Sequence, residues 1–205
     1  MRLTDKDKEL IKLIDRWGFM SVKDICKIQG YKNENLAVWR LKRLVENHLI
    51  KREKSVFGYY FYVPADFRGV DLATVEHDQT AMHLCLALCR MHKVEYLTIR
   101  ELRSAARVNE GVVGLSRKVP DFVLVNKDGQ QIACEVELSQ KSLTRQRENI
   151  GRYVECLARN EYSKVWYFCG SGAILERVKG LIQERKMGQR LEYNLISAIY
   201  KKEGQ

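Results

Sequence analysis

The stretches that decide the fold are PDFVLV at residues 120–125 and IACEVEL at residues 132–138. Each has the composition of an apolar strand, and the Asp-Gly pair between them predicts a hairpin turn. Side chains two residues apart in a strand share a face, so Glu135 and Glu137 project together, and the hairpin returns Asp121 beside Glu135. Carboxylates in an apolar strand are costly unless they are paired, hydrogen-bonded or metal-bound. The three acids therefore predict a site for a hard divalent cation, Mg²⁺ or Mn²⁺.

Composition narrows the class of protein. The chain has 205 residues, 45% of them hydrophobic, which suits one large domain or two small ones with packed cores. Its net charge of +10 indicates a polyanionic partner, and nucleic acid is favoured over membrane. The sequence has no run of about 18 apolar residues and no signal-peptide pattern, so we expect a cytoplasmic protein without a membrane segment. The six cysteines lack zinc-site spacing and are expected to be reduced.

The first 63 residues have the element order of a winged helix-turn-helix. Three helical segments are followed by two β-rich segments, residues 49–52 and 56–63. These two segments are predicted to be the strands of the wing, and residues 53–55 its tip. Caps and stops fall at the ends of the three helices, at Thr4 and Gly18, Ser21 and Gly30, and Asn33. The third helix is expected to bury Leu36, Leu41, Leu44, Val45 and either Val38 or Trp39.

That third helix is predicted to be the recognition helix of a DNA-binding domain. Residues 1–63 carry 14 Lys and Arg against 8 Asp and Glu, a surplus of 6, which matches contact with phosphates. The predicted DNA contacts are Lys32, Asn35, Arg40, Lys42, Arg43, Lys51, Arg52 and Lys54. The alternative is a protein-interaction module whose basic residues only solvate one face.

Residues 64–71 are predicted to be a linker, and residues 72–205 a second domain. We expect a helix over 74–93, an irregular stretch containing Glu101, and then the two strands with the acids. A long helix over 139–159, a buried strand over 164–169, a helix to residue 186 and a last strand over 191–200 follow.

The α-β-β-β-α-β order, with Pro-Asp and then Glu-x-Glu, resembles the restriction-endonuclease-like nuclease superfamily. The signature of that superfamily is an Asp followed by Glu-x-Lys on the next strand. With the winged helix, the motifs His77-Asp78-Gln79, Glu101-Leu102-Arg103, Pro120-Asp121 and residues 135–142 resemble the replication-relaxation family and MobC-type plasmid relaxases. The resemblance covers about residues 74–200.

This resemblance implies a plasmid mobilization or conjugation protein that recognises a transfer origin in double-stranded DNA and nicks one strand. Other relaxosome or conjugation proteins would be its partners, and a two-fold DNA site would imply a homodimer. Asp121 and Glu135 would be the metal ligands, Glu137 would occupy the usual lysine position, and Glu101 would be an acid from the N-terminal part of the domain.

Glu137 stands where the superfamily has a lysine, so a substitute cation is required, because that lysine normally stabilises negative charge that develops on the phosphate. Lys141, four residues beyond Glu137, is the natural substitute, and Arg145 shares its helical face. Arg145 and Arg152 are predicted DNA contacts; the alternative is that Lys141, Arg145 and Arg152 only contact the DNA backbone or solvent. His77 either contributes to the site or caps a helix.

Two other functions stay open. The protein could be a non-catalytic relaxosome accessory factor or a transcription regulator with a degenerate nuclease-like domain, which Glu137 in the lysine position supports. Retention of Asp121 and Glu135, which repel each other, argues against it. A restriction or repair nuclease would share the acidic site. Taken singly, each acid could also be structural.

Overall fold

The computed structural model describes residues 2–55, 58–67, 74–110, 118–186 and 189–203, with the backbone alone described for 106–110. It is a mixed α/β structure, and these residues form eight helices and two sheets. The chain divides into two compact units, Met1–Glu76 and His77–Gln205. Within the described residues, no helix has the length and apolar character needed to cross a membrane.

The first unit consists of three helices and a hairpin. The helices are α1 (Asp5–Trp17), α2 (Val22–Gln29) and α3 (Glu34–Glu46). The hairpin pairs β1 (Ile50–Lys54) with β2 (Tyr60–Pro64) in antiparallel register. Of the predicted linker, residues 68–71 lie outside the described residues, and Pro64 belongs to β2.

Local capping explains where the helices of the first unit begin and end. The first two begin with capping boxes, in which a hydroxyl and a carboxylate exchange hydrogen bonds with the backbone, namely Thr4 with Asp7 and Ser21 with Asp24. The C-cap Gly18 has φ 83°, a left-handed conformation that glycine adopts without a Cβ clash. The predicted starts and stops of these helices are confirmed.

The packing of α3 differs from the prediction. Its buried side is formed by Ala37, Leu41 and Leu44. Leu36, Val38 and Trp39 are exposed, with Trp39 54% accessible. A stripe at 37, 41 and 44 turns positions 36 and 39 away from the core, because successive residues on a helix are separated by 100°. The prediction that α3 buries Leu36 and either Val38 or Trp39 is therefore wrong.

The second unit is built on a five-stranded sheet in the order β3-β4-β5-β6-β7. The strands are β3 (Glu95–Thr98), β4 (Phe122–Val125), β5 (Gln131–Glu137), β6 (Lys164–Cys169) and β7 (Leu191–Leu195). The pairs β3–β4 and β4–β5 are antiparallel, whereas β5–β6 and β6–β7 are parallel. The helices are α4 (Val75–His92), α5 (Ile99–Glu110), α6 (Leu143–Ala158), α7 (Gly172–Glu184) and α8 (Ile196–Glu203).

Three predicted elements of this unit need correction. The stretch predicted to be irregular forms β3 and α5, and α5 stands between the first two strands of the expected αβββαβ order. The long helix begins at Leu143, after the N-cap Ser142, and not at residue 139. The last predicted strand, 191–200, is strand only to Leu195, and Ile196 begins a helix whose buried positions are 196 and 199.

The core of the second unit lies between one face of the sheet and helices α6 and α7. Its main members are alternate strand residues and one stripe of each helix: Val123, Ala133, Val165, Tyr167, Ile150, Tyr153, Leu157, Val178 and Ile182. Because Ala133 and Glu135 are two residues apart in β5, the carboxylates of Glu135 and Glu137 enter this same face.

Candidate functional site

Three carboxylates meet on the α6 side of the sheet. Phe122 pairs with Cys134, and the Asp121 amide donates to the Cys134 carbonyl at 3.0 Å, so Asp121 lies opposite Glu135, as the hairpin predicts. Glu135 and Glu137 are only 2% and 3% exposed. Such burial of several acids requires partners that compensate the lost hydration.

Glu135 is held from two sides. Lys118 Nζ donates to its Oε1 at 2.8 Å, and the Tyr153 hydroxyl donates to its Oε2 at 2.6 Å. Burial and the neighbouring charge of Asp121 raise the pKa of Glu135 to about 7, against the opposing effects of Lys118 and Tyr153. The carboxyl is therefore able to gain or lose a proton near neutral pH.

Asp121 lies in a second hydrogen-bonded group. The Val136 amide donates to Asp121 Oδ2 at 2.7 Å, and His77 Nε2 lies 3.5 Å from the same oxygen. His77 Nε2 is also 3.0 Å from the Val136 carbonyl, and its Nδ1 is 3.1 Å from Asp78 Oδ1. Hydrogen bonds to Asp121 and Asp78 raise the pKa of His77 to about 11, despite partial burial. His77 is thus a cation at neutral pH and contacts the carboxylate cluster.

One carboxylate oxygen of Glu137 accepts a hydrogen bond, and the other accepts none from the described residues. Its Oε1 accepts from Lys141 Nζ, whereas its buried Oε2 has no hydrogen-bond partner among the described residues. A small pocket adjoins Glu137 and is lined by Gln146, Asn149, Ile150, Tyr167 and Val178. The side-chain amide of Gln146 and the hydroxyl of Tyr167 are also buried without a partner in the described part of the chain. The buried polar atoms on this side of Glu137 therefore have hydrogen-bonding capacity that the described residues do not use.

Four residues of this site were absent from the predicted set: Lys118, Gln146, Tyr153 and Tyr167. Gln146 and Tyr153 could have been identified from the sequence, because both place a polar group on the otherwise apolar helical stripe at positions 146, 150, 153 and 157. Tyr167 pairs with Glu135 across parallel strands. No local pattern connects Lys118 or Tyr167 to the acids, since those contacts depend on the tertiary fold.

Glu101 occupies a capping position. Its Oε2 accepts from the Thr98 amide at 2.8 Å, and the Thr98 hydroxyl accepts from the Glu101 amide at 3.3 Å, a reciprocal pair at the start of α5. Arg145 and Arg152 lie exposed on α6, where they are accessible to a ligand.

Most of the predicted DNA contacts lie at the surface of the first unit. Lys32, Asn35, Lys42, Lys51, Arg52 and Lys54 are exposed and Arg43 is partly exposed. Arg40 differs, because its side chain is only 14% exposed and its NH1 donates to Asp7 Oδ1 at 2.7 Å. Burial alone would raise the pKa of Asp7, but hydrogen bonds from Thr4 and Arg40 outweigh it and lower that pKa. Arg40 therefore links α3 to α1 through an ion pair and does not belong to the predicted polar face.

Within the described residues, no group of three or more His, Cys, Asp and Glu side chains has an arrangement that could hold a metal ion. No family model, curated protein or solved structure matches the chain.

Proposed function

We propose that the protein binds DNA and cleaves one strand in a divalent-metal-dependent reaction, of the relaxase kind that acts at a plasmid transfer origin. The observation that carries this proposal is the group of three carboxylates on one largely buried face, with Glu137 Oε2 unpartnered among the described residues. Buried like charges lower the stability of a fold, and acids with shifted pKa values concentrate at functional sites.

The donor chemistry of the residues present suits a hard cation, although the described side chains are not arranged as a metal site in this structure. Asp121, Glu135 and Glu137 supply the carboxylate oxygens that Mg²⁺ and Mn²⁺ prefer, and one of these oxygens has no partner in the described part of the chain. These three residues would hold the ion. When bound, such an ion polarises a phosphodiester oxygen and lowers the pKa of a bound water.

The other residues of the site have roles that follow from their contacts. His77 and the Val136 amide fix the orientation of Asp121, and Tyr153 fixes that of Glu135. Burial and the charge of Asp121 raise the pKa of Glu135 to about 7, so the ionised carboxylate is undercompensated within the chain, and a bound cation would compensate it. Lys141 lies before α6, and not on a helical face shared with Arg145 as predicted; it contacts Glu137 and can stabilise negative charge that develops on the phosphate.

The first unit supports the DNA-binding part of the proposal. The order of three capped helices and a two-stranded hairpin supports the proposal of a winged helix, and the surplus of basic residues in this unit suits phosphate contact. The unit would then direct the second unit to its DNA site.

A second function is favoured by one specific observation. Each carboxylate already has a cationic partner from the chain: His77 at Asp121, Lys118 at Glu135 and Lys141 at Glu137. These pairs would compensate the buried acids without a metal. The protein would then be a non-catalytic DNA-binding factor, either a relaxosome accessory protein or a transcription regulator.

A nicking assay separates the two functions. Supercoiled plasmid carrying the protein's own transfer region is incubated with Mg²⁺ or Mn²⁺ and with wild type, Asp121→Asn or Glu137→Gln. Glu155→Gln, an exposed acid on α6, is the matched control. We expect relaxed circles from wild type and the control alone. Binding without relaxation under either metal would support the non-catalytic factor, and linear product would indicate a nuclease that cuts both strands.

A further inference from the structure

Exposed apolar side chains concentrate in one part of the first unit. Of the six large hydrophobic residues exposed in the described part of the chain, five lie on α3 and at the hairpin. These five residues, which we call the aromatic face, are Leu36, Val38, Trp39, Tyr59 and Tyr60. Helix α3 contacts β1, and Tyr60 of β2 pairs with Lys54 of β1, so the aromatic face has one part on α3 and one part on the hairpin that follows it. Clustered exposed apolar residues of this kind mark interaction surfaces.

Cations lie over the rings of the aromatic face. The Arg43 guanidinium is 4.7 Å from the centroid of the Trp39 ring, and the Arg52 guanidinium is 3.7 Å from that of Tyr60. Lys54 Nζ is 5.8 Å from the Tyr60 ring. A cation over one ring face orients the aromatic side chain. Each ring is also partly exposed, so it can stack on a planar ligand while the cation meets a nearby anion.

The chemistry of this face suits unpaired bases better than a duplex. A helix in the major groove reads base edges mainly through hydrogen-bonding side chains, which Asn35 and Lys42 of α3 provide. The exposed Leu36 and Val38 of the same helix add no such hydrogen bonds. In a duplex the faces of the bases are covered by their neighbours. A single strand offers both the base faces and the phosphates, which are the groups that aromatic and basic side chains bind together.

We propose that the aromatic face binds a single-stranded DNA segment, with bases stacked on Trp39 and Tyr60 and with phosphates at Arg43, Arg52 and Lys54. The inference rests on the proposed function and specifies its substrate, because strand nicking at an origin gives access to unpaired nucleotides. A second copy of the chain is a poorer occupant, since the basic residues at this face would repel each other.

The test uses the full chain without added metal and measures tryptophan fluorescence. The probes are an oligothymidylate of about 15 nucleotides and a hairpin duplex with the same number of phosphates, at one salt concentration. Of the three tryptophans, Trp39 is 54% exposed, Trp17 is 7% exposed and Trp166 is half-buried in β6. Quenching that is lost in Trp39→Phe therefore reports stacking at this face. We expect the single strand to quench the emission and to bind at least about tenfold more tightly than the hairpin.

Matched variants test the role of the ring. Trp39→Ala is expected to weaken binding of the single strand by about 5- to 150-fold, the range for loss of one stacked base. Trp39→Phe keeps an aromatic ring and should retain most of the affinity. Tyr60→Ala is a second, independent variant, and circular dichroism checks that each protein is folded.

Tighter binding of the hairpin, with Trp39→Ala and Trp39→Phe equally affected, would overturn the inference and leave α3 as a duplex-reading helix. Self-association that Trp39→Ala abolishes in sedimentation would also overturn it, because the face would then be a protein interface. Absence of binding to both DNA probes would contradict the proposed function as well.

Discussion

Replacement of Glu135 by glutamine is predicted to change how the stability of the protein depends on pH. In the wild type, Glu135 is buried beside Asp121, which raises its pKa from 4.5 to about 7. Between these two values the folded protein binds a proton that the unfolded chain has released. The free energy of unfolding therefore falls as the pH rises through this interval.

The size of the effect follows from the difference between the two pKa values. At 1.36 kcal/mol per pKa unit, the rise corresponds to about 3 kcal/mol of stability, present below pH 4.5 and lost above pH 7. Glutamine has a similar shape and does not titrate, so Glu135→Gln lacks this loss. The raised pKa of His77 also lowers stability as the pH increases, from 6.5 to about 11, but His77 is present in both proteins and cancels in the comparison.

The assay is urea unfolding of wild type and Glu135→Gln at intervals from pH 4.5 to pH 8.5. From pH 4.5 to pH 8.5, we expect the free energy of unfolding of the variant to rise by about 3 kcal/mol relative to that of wild type. A difference that stays constant within about 0.5 kcal/mol, or that grows in favour of wild type, would refute the assignment of a strained, buried Glu135.

Three further substitutions are expected to change the stability of the protein or the titration of Glu135. Arg40→Met leaves the Asp7 carboxylate buried without its cation, so we expect the free energy of unfolding of the first unit to fall by about 2–3 kcal/mol in chemical unfolding. The control Lys42→Met, at the surface, should change it by less than about 0.5 kcal/mol. Gly18→Ala places a Cβ at φ 83°, which should cost about 1–2 kcal/mol in the same measurement; an unchanged midpoint would contradict the capping role. Lys118→Met removes the cation beside the buried glutamate, and its carboxyl should titrate above pH 7 in an NMR titration; titration at lower pH would show that this contact is not formed.

The elements with strong local signals were predictable from the sequence. Capping residues and glycines bounded α1 and α2, and the turn with alternating acids fixed the pairing that brings Asp121 to Glu135. These features depend on residues a few positions apart, so sequence spacing is sufficient to identify them.

Other features were predicted wrongly because the local sequence pattern was compatible with two different structures. The run from Leu191 to Tyr200 is apolar enough for a strand, but Ile196 and Ile199 have helical spacing, and the chain changes from strand to helix there. In α3, nearly every position in one stretch is apolar, so periodicity did not determine which side is buried. The partners Lys118 and Tyr167 come from distant segments and required the tertiary structure.

We propose that Asp121, Glu135 and Glu137 are held together for a divalent cation and not only for ion pairs within the chain. The most direct measurement is Mn²⁺ binding followed by electron paramagnetic resonance at pH 8, comparing wild type with Asp121→Asn and Glu155→Gln. We expect a Mn²⁺ site in wild type and in Glu155→Gln, and an affinity at least about tenfold lower in Asp121→Asn. Absence of bound Mn²⁺ in wild type, or equal binding by all three proteins, would contradict it.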